Sequence, residues 1–463
     1  SPSVGDFVYD TDLSSLQRYN GSSWISVANG YGLIEVITDS DNGIPKYFTD
    51  LQTALEECKA VGSVCVVTLH SNITITSTIN IKKGGTGVGN VYLYKDLTID
   101  FNGFTLTNNE VDASYCFDVS FGNIPSENRQ ITFKNGTVNR TSGTGTHYAL
   151  FSDYGENDGR VLMSDMLWYC ENSNTVRLDI DELDASYNDF GGSTFVSDAG
   201  IPLKIENYNC KNFSTISNSS IGSLNLLNAK AMNFDVLNTS TGDGIDISRT
   251  SDITHFKVKT ISGIGIDCSG DFQGACSHFY VETSTGEGID TAGGTTYKLK
   301  FSNFEVKCGD AVCIDSNHRN GIMSNFLISN NSSSKYTLSG VNDNTRTYSN
   351  GTVINYGSGS ALQSYNVSGV EFNNVTFISK LGIASVIHLD NAARNVDFYR
   401  CTFQSQWSDV GGHAVNITKS TGSIRISNCN FKVANTSANC LYSSSAKTIS
   451  VGNSGFTGAT TPI

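Results

Sequence analysis

Five Phe-centred tetrads recur between Asn233 and Ile328, and their spacing leaves the chain few ways to fold. Asn233-Phe234-Asp235-Val236, His255-Phe256-Lys257-Val258, His278-Phe279-Tyr280-Val281, Asn303-Phe304-Glu305-Val306 and Asn325-Phe326-Leu327-Ile328 place Phe at steps of 22, 23, 25 and 22 residues. Between them lie Gly242-Asp243-Gly244-Ile245-Asp246-Ile247, Gly263-Ile264-Gly265-Ile266-Asp267-Cys268, Gly286-Glu287-Gly288-Ile289-Asp290-Thr291 and Gly309-Asp310-Ala311-Val312-Cys313-Ile314-Asp315. A repeat this short cannot bury its own apolar face and must stack on copies of itself. Apolar and polar residues alternate with period two, which is strand patterning. No crossover helix fits between the strands. The economical solution is an all-β solenoid, a parallel β-helix. Each repeat is then one coil, with Phe, Val and Ile inside and neighbouring coils about 4.8 Å apart.

Composition agrees with this. The chain has 45 Gly and 5 Pro, which suits many turns with positive φ and strands that need every N–H. One elongated solenoid can absorb all 463 residues, so length alone demands no further core. Charged residues make up 16% and the formal net charge is −14, so Asn, Ser, Thr and Tyr cover the surface. An acidic surface without basic runs argues against nucleic acid and polyphosphate ligands. It fits a neutral carbohydrate, or an acidic one met by local cations. No stretch approaches the roughly 18 apolar residues of a membrane helix. The 12 Cys lack zinc-type pairs, and neither metal nor cofactor is expected. Cys268, Cys401 and Cys429 fall at inward positions, as small apolar core residues. Cys58 with Cys65, or Cys308 with Cys313, remain open as local disulfides.

Two regions are expected: residues 1–33, a small β module and linker, and residues 34–463, the β-helix. One convincing helix is expected over residues 49–61, before the coils. Thr49 and Gln52 form its capping box and Gly62 its stop, and it should cover the open end of the first coil. Coil insertions are expected near 179–200, 332–364 and 404–413. The first carries Asp179, Asp181, Glu182, Asp184 and Asp189 and reads as a solvated loop.

Gly5-Asp6, Tyr9, Tyr19-Asn20-Gly21-Ser22 and Trp24 resemble a small module frequent in bacteriophage tail fibres and tailspikes. Leu97-Thr98-Ile99-Asp100-Phe101-Asn102-Gly103-Phe104-Thr105-Leu106 and Ile131-Thr132-Phe133-Lys134-Asn135-Gly136-Thr137-Val138 resemble early coils of pectate-lyase-like proteins and phage tailspikes. The resemblance implies a right-handed, single-stranded parallel β-helix. It further implies a homotrimeric virion protein, joined to the phage tail or baseplate through its N-terminus. Such a protein acts outside the host cell and binds, and often cleaves, bacterial capsule, exopolysaccharide or lipopolysaccharide.

The outward Asp residues are the sharpest candidate for chemistry. Asp246, Asp267, Asp290 and Asp315 should face solvent on consecutive coils, roughly 5 Å apart. That is the carboxyl spacing of retaining glycosidases, and two coils approach the inverting one. Stacked carboxylates repel, so one should hold its proton to higher pH, as a general acid must. Glu287, with Asp243 and Asp310, could supply a partner carboxyl. The same Asp residues also suit a structural polar ladder. Asn233, His255, His278, Asn303 and Asn325 read as a turn ladder. Trp168, Tyr187 and Trp407 are candidates to stack on sugar rings, with Tyr169, Tyr348 and Tyr356. His318 is a candidate base or cation for an acidic sugar, and Asp409 and His413 lie near Trp407. The expected function is a tailspike-type glycoside hydrolase or lyase. The alternatives are a non-catalytic fibre or adhesin, and a free secreted polysaccharide-degrading enzyme.

Overall fold

The computed structural model describes residues 2–458 except 11–14, 20, 23, 28–33, 39–42, 59–63, 83–90, 93–95, 111–114, 121–128, 142–146, 153–158, 181–186, 250, 269–272, 292–298, 317–320, 333–335, 342–343, 366–367, 382–384, 391–393, 407–412, 419–421, 435 and 445–447. It divides into two compact units, Ser1–Ser214 and Thr215–Ile463.

In the first unit, β1 (Phe7–Asp10), β2 (Ser15–Tyr19) and β3 (Trp24–Val27) form their own antiparallel sheet. β4 (Ile34–Thr38) pairs antiparallel with β5 (Lys46–Phe48) and with β6 (Cys65–Leu69). From β6 onward the pairing is parallel. Leu97–Asp100, Arg129–Arg140 and Gly159–Cys170 continue one ladder. Ile79–Lys82, Tyr115–Ser120, Tyr148–Ser152, Val176–Asp179 and Leu203–Glu206 form a second. Parallel strands returning every coil, with no helix between them, make a parallel β-helix.

The helix α1 (Leu51–Glu57) is shorter than expected and its cap differs. Asp50, not Thr49, is the N-cap, and its side chain accepts the Thr53 N–H. Asp caps at least as well as Thr and adds a negative charge at the positive end of the helix dipole. The helix buries Leu51, Ala54 and Leu55. β4 hydrogen-bonds the outer edge of β6, so an antiparallel strand closes the start of that ladder. A Cys58–Cys65 disulfide ties the end of the helix to β6. The remaining ten cysteines, Cys308 and Cys313 included, are buried thiols outside any disulfide.

In the second unit, Lys230–Asn238, Asp252–Thr260, Ala275–Thr283, Lys300–Cys308 and Ile322–Asn330 stack in parallel register. Phe234, Phe256, Phe279, Phe304 and Phe326 lie over one another, with successive centroids 5.1, 4.9, 4.9 and 5.6 Å apart. Gly351 ends this column, because a Cβ there would lie 2.2 Å from the Phe326 ring. Tyr348, Phe372 and Phe398 then take over the aromatic stacking, 4.8 and 5.1 Å apart.

Each long strand turns at one left-handed residue. Asn233, His255, His278, Asn303 and Asn325 have φ of 54, 55, 54, 54 and 53°. Asn tolerates this region because its short side chain bonds locally. Here the amides form a ladder: Asn325 Nδ2 donates to Asn303 Oδ1 at 3.0 Å. The His255 and His278 rings stack 4.7 Å apart. An Asn303→Ala change is expected to cost about 1–2 kcal/mol and Asn303→Gly less, read from thermal unfolding.

Two expected insertions are instead part of the stack. Residues 332–364 hold Leu338–Val341, Asn344–Asn355 and the start of Leu362–Tyr365, a coil in register with its neighbours. Its strands are rich in Asn, Ser and Thr, which masked the apolar alternation. In 179–200, Asn188–Ser197 is a strand. Only 181–186 of that stretch lies outside the described residues, as do 407–412 of the third.

Candidate active site

The Gly-x-Gly-Ile-Asp repeat explains how the carboxylates are placed. A Cβ on Gly263 would sit 2.0 Å from the Gly242 carbonyl oxygen, and one on Gly265 2.5 Å from that of Gly288. The coils therefore touch through bare backbone at these two positions. Ile245, Ile266, Ile289 and Ile314 then turn inward and are fully buried. The residue after each turns outward. Asp246, Asp267, Asp290 and Asp315 pair directly in parallel register, at the strand spacing of about 4.8 Å. Asn225 precedes them and Ser339 follows.

Position in the column decides the electrostatics. Burial first, then the charges of Asp246, Asp290 and Asp243, push the Asp267 carboxyl up to about 7. Asp246 accepts a hydrogen bond from Asn225 Nδ2 at 3.1 Å. Burial, with the charges of Asp246 and Asp290, also raises Asp243, although its Oδ1 accepts the Ile264 N–H at 2.8 Å. Gly265 N donates to the Glu287 carbonyl and Gly244 N to that of Ile264, both at 2.8 Å. Glu287 is thus level with Ile264 and Asp243, beside the column. Asp310 accepts from Ser332 Oγ at 2.7 Å. The arrangement offers a carboxyl that keeps its proton near neutrality, with another Asp side chain about one strand spacing away on either side.

The aromatic candidates divide. Trp168 is a correction: it is fully buried, edge-on to Phe133 and Phe117 at 5.3 and 6.3 Å. It alternates inward with Met166 and Cys170, so it cannot stack on a sugar. Trp168→Phe is expected to cost about 1–2 kcal/mol, read from urea unfolding, without changing saccharide affinity. Tyr348 is likewise core, at 2% exposure. Tyr169 donates to Asp198 Oδ2 at 2.6 Å. Tyr187 is half-buried and Tyr356 is 44% exposed. His413 stacks on Tyr442 at 4.7 Å. Trp407, Asp409 and His318 lie outside the described residues.

A cleft of about 630 Å³ lies elsewhere on the second unit, along the long strands, lined by His278, Tyr280, Asn303, Glu305, Asn325 and Asn350 among others. A polymer can lie along an open solenoid face, so distance from this cleft does not count against the Asp column. No cluster of three or more His, Cys, Asp or Glu suited to a metal occurs among the described residues.

Asp179 is a further residue that sequence reasoning placed wrongly. It is 6% exposed, in a strand, opposite Glu206 at 7%. Val176-Arg177-Leu178-Asp179 and Leu203-Lys204-Ile205-Glu206 repeat one pattern of residue types one coil apart, and that repeat was the available signal.

No family model and no curated protein matches the sequence. Solved structures similar to this chain include a tailspike protein mutant of E. coli bacteriophage HK620 in complex with a hexasaccharide. It is 10% identical, with 87% of this chain and 73% of that chain covered and a TM-score of 0.36. Others are the Siphovirus 9NA tailspike receptor binding domain (8%, 90% and 77%, 0.28) and the Azotobacter vinelandii mannuronan C-5 epimerase AlgE4 A-module (9%, 89% and 95%, 0.27). At such scores the likeness carries no argument, and the β-helix rests on the strand ladders themselves.

Proposed function

We propose that the chain binds a bacterial surface polysaccharide and cleaves it at the carboxylate column, as a phage tailspike. The observation that supports this most is Asp267, a carboxyl pushed up to about 7 between Asp246 and Asp290 on adjacent coils. In this reading Asp267 protonates the glycosidic oxygen as the bond to the anomeric carbon breaks. Asp246 or Asp290 attacks that carbon, at the short carboxyl spacing of retaining enzymes, about 5 Å. Water then releases the sugar and returns its proton to Asp267. Asp315 and Glu287 flank this centre and are proposed to contact the chain beyond the cleaved bond. No cofactor is needed.

The N-terminal resemblance supports attachment to a phage tail, a homotrimer and action at the host surface. The Asn225–Asp246 and Ile264–Asp243 hydrogen bonds favour a second reading, a purely structural ladder on a non-catalytic adhesin. Incubation with purified capsule or lipopolysaccharide separates the two. New reducing ends are expected from the first reading, and binding without release from the second.

A further inference from the structure

The cleft of about 630 Å³ on the long strands of the second unit has a continuation. A second cleft, of about 490 Å³, shares Glu305 and Leu327 with it and extends to Tyr356. Register explains the hollow. Ser329 lies between Lys307 and Ile354 on the neighbouring strands, a short side chain between two bulkier ones. The two clefts form one open groove on the long strands, in a different sheet from the Asp column.

Both ends of this groove are open to a ligand. At one end the amide ladder is interrupted. Asn325 Nδ2 donates to Asn303 Oδ1, and Asn374 Nδ2 to Asn350 Oδ1, each at 3.0 Å. Asn325 and Asn350 fall level on adjacent coils, yet among the described residues no bond joins them, and both are exposed. An acceptor, Asn325 Oδ1, and a donor, Asn350 Nδ2, are therefore left open one coil apart. At the other end Tyr356 is 44% exposed, and no second ring or cation covers its faces among the described residues. Asn350 and Tyr356 are six residues apart along the strand Asn344–Asn355 and its end, roughly 20 Å at strand rise.

We infer that this groove holds a neutral oligosaccharide of several pyranose units lying along the long strands, with the vicinal hydroxyls of one unit on Asn325 and Asn350 and the C–H face of a distant unit on Tyr356. A hydroxyl both donates and accepts, so two neighbouring hydroxyls satisfy an acceptor and a donor held one coil apart. An exposed Tyr ring offers a flat apolar face beside a polar tip, and saccharide sites join such a surface to a few fixed polar groups. A single sugar cannot reach both ends. Glu305 and Lys307 in the groove pair with each other at 2.7 Å, so neither is a spare cation for a uronate, and the net charge of −14 repels one.

The inference rests on the saccharide reading of the chain but not on the Asp column. Isothermal titration of the full chain at pH 7 tests it, with cellohexaose, mannohexaose, galactohexaose, the trioses of the same sugars, and hexagalacturonate. At least one neutral hexaose is expected to bind, about tenfold or more tighter than its triose and tighter than hexagalacturonate. Tyr356→Ala, which removes the ring face, is expected to weaken that binding about tenfold. Asn350→Asp, which keeps the oxygen that Asn374 uses but loses the donor, is expected to weaken it about fivefold. Asn428→Gly is the control. Asn428 makes the same left-handed turn, with φ of 55°, outside the groove, and glycine tolerates that turn, so binding is expected to stay unchanged. No binding of any neutral hexaose, trioses binding as tightly as hexaoses, tighter binding of hexagalacturonate, or binding indifferent to both Tyr356→Ala and Asn350→Asp would overturn the inference. None of these results bears on the release of reducing ends from capsule, and a hexaose held in the groove without such release would strike the cleavage proposal and leave the groove standing.

Discussion

Asp267→Asn is expected to abolish oligosaccharide release, by roughly 10²–10⁴-fold for loss of a general acid, while making the protein more stable above neutral pH. The two effects share one cause. A free Asp carboxyl titrates near 4, whereas burial and the neighbouring carboxylates push Asp267 up to about 7. Between those values the folded chain holds a proton that the unfolded chain has released. Stability from this group is therefore complete below about pH 4 and is lost as pH rises to about 7. The undiscounted shift corresponds to about 4 kcal/mol, and solvent screening of a half-buried group reduces this to roughly 1–2 kcal/mol. Asn cannot ionise and escapes that loss. Urea midpoints at pH 4 and pH 8 read it: the variant should gain on the parent only at the higher pH. A variant that still releases sugar at the parent rate removes Asp267 from catalysis.

Gly263→Ala is expected to destabilise the second unit by about 3 kcal/mol, at the upper end for overpacking. The added Cβ would lie 2.0 Å from the Gly242 carbonyl oxygen. That neighbour is backbone and cannot swing aside, so two coils must separate. The contacts beneath Asp246 and Asp267 would loosen with them. Gly452→Ala is the matched control, since nothing lies within 4 Å of its added Cβ. It should stay within about 0.5 kcal/mol of the parent. Calorimetry of both variants checks the pair, and equal melting temperatures would contradict the close contact of the coils.

The coils were legible because their inward residues are large and repeat at nearly constant steps. Phe256, Phe279 and Phe304 gave both the period and the inward side, and that fixed the outward side of Asp267 and Asp290. The left-handed turn at Asn303 and its neighbours was legible for the same reason. Where small polar residues fill the strands, as in Asn344–Asn355, the alternation faded and a regular coil read as an insertion. Trp168 was misplaced because a lone aromatic carries no period to say which way it points. Asp179 was hidden differently. Its partner lies 27 residues on, and acidity close to Asp181 and Glu182 resembled a solvated loop more than one rung of a pair.

The most direct measurement is a ¹³C NMR pH titration of the aspartate carboxyls in the intact chain. One resonance is expected to titrate near 7 and to vanish in Asp267→Asn. If no resonance titrating near 7 is lost in Asp267→Asn, the proposed acid does not exist.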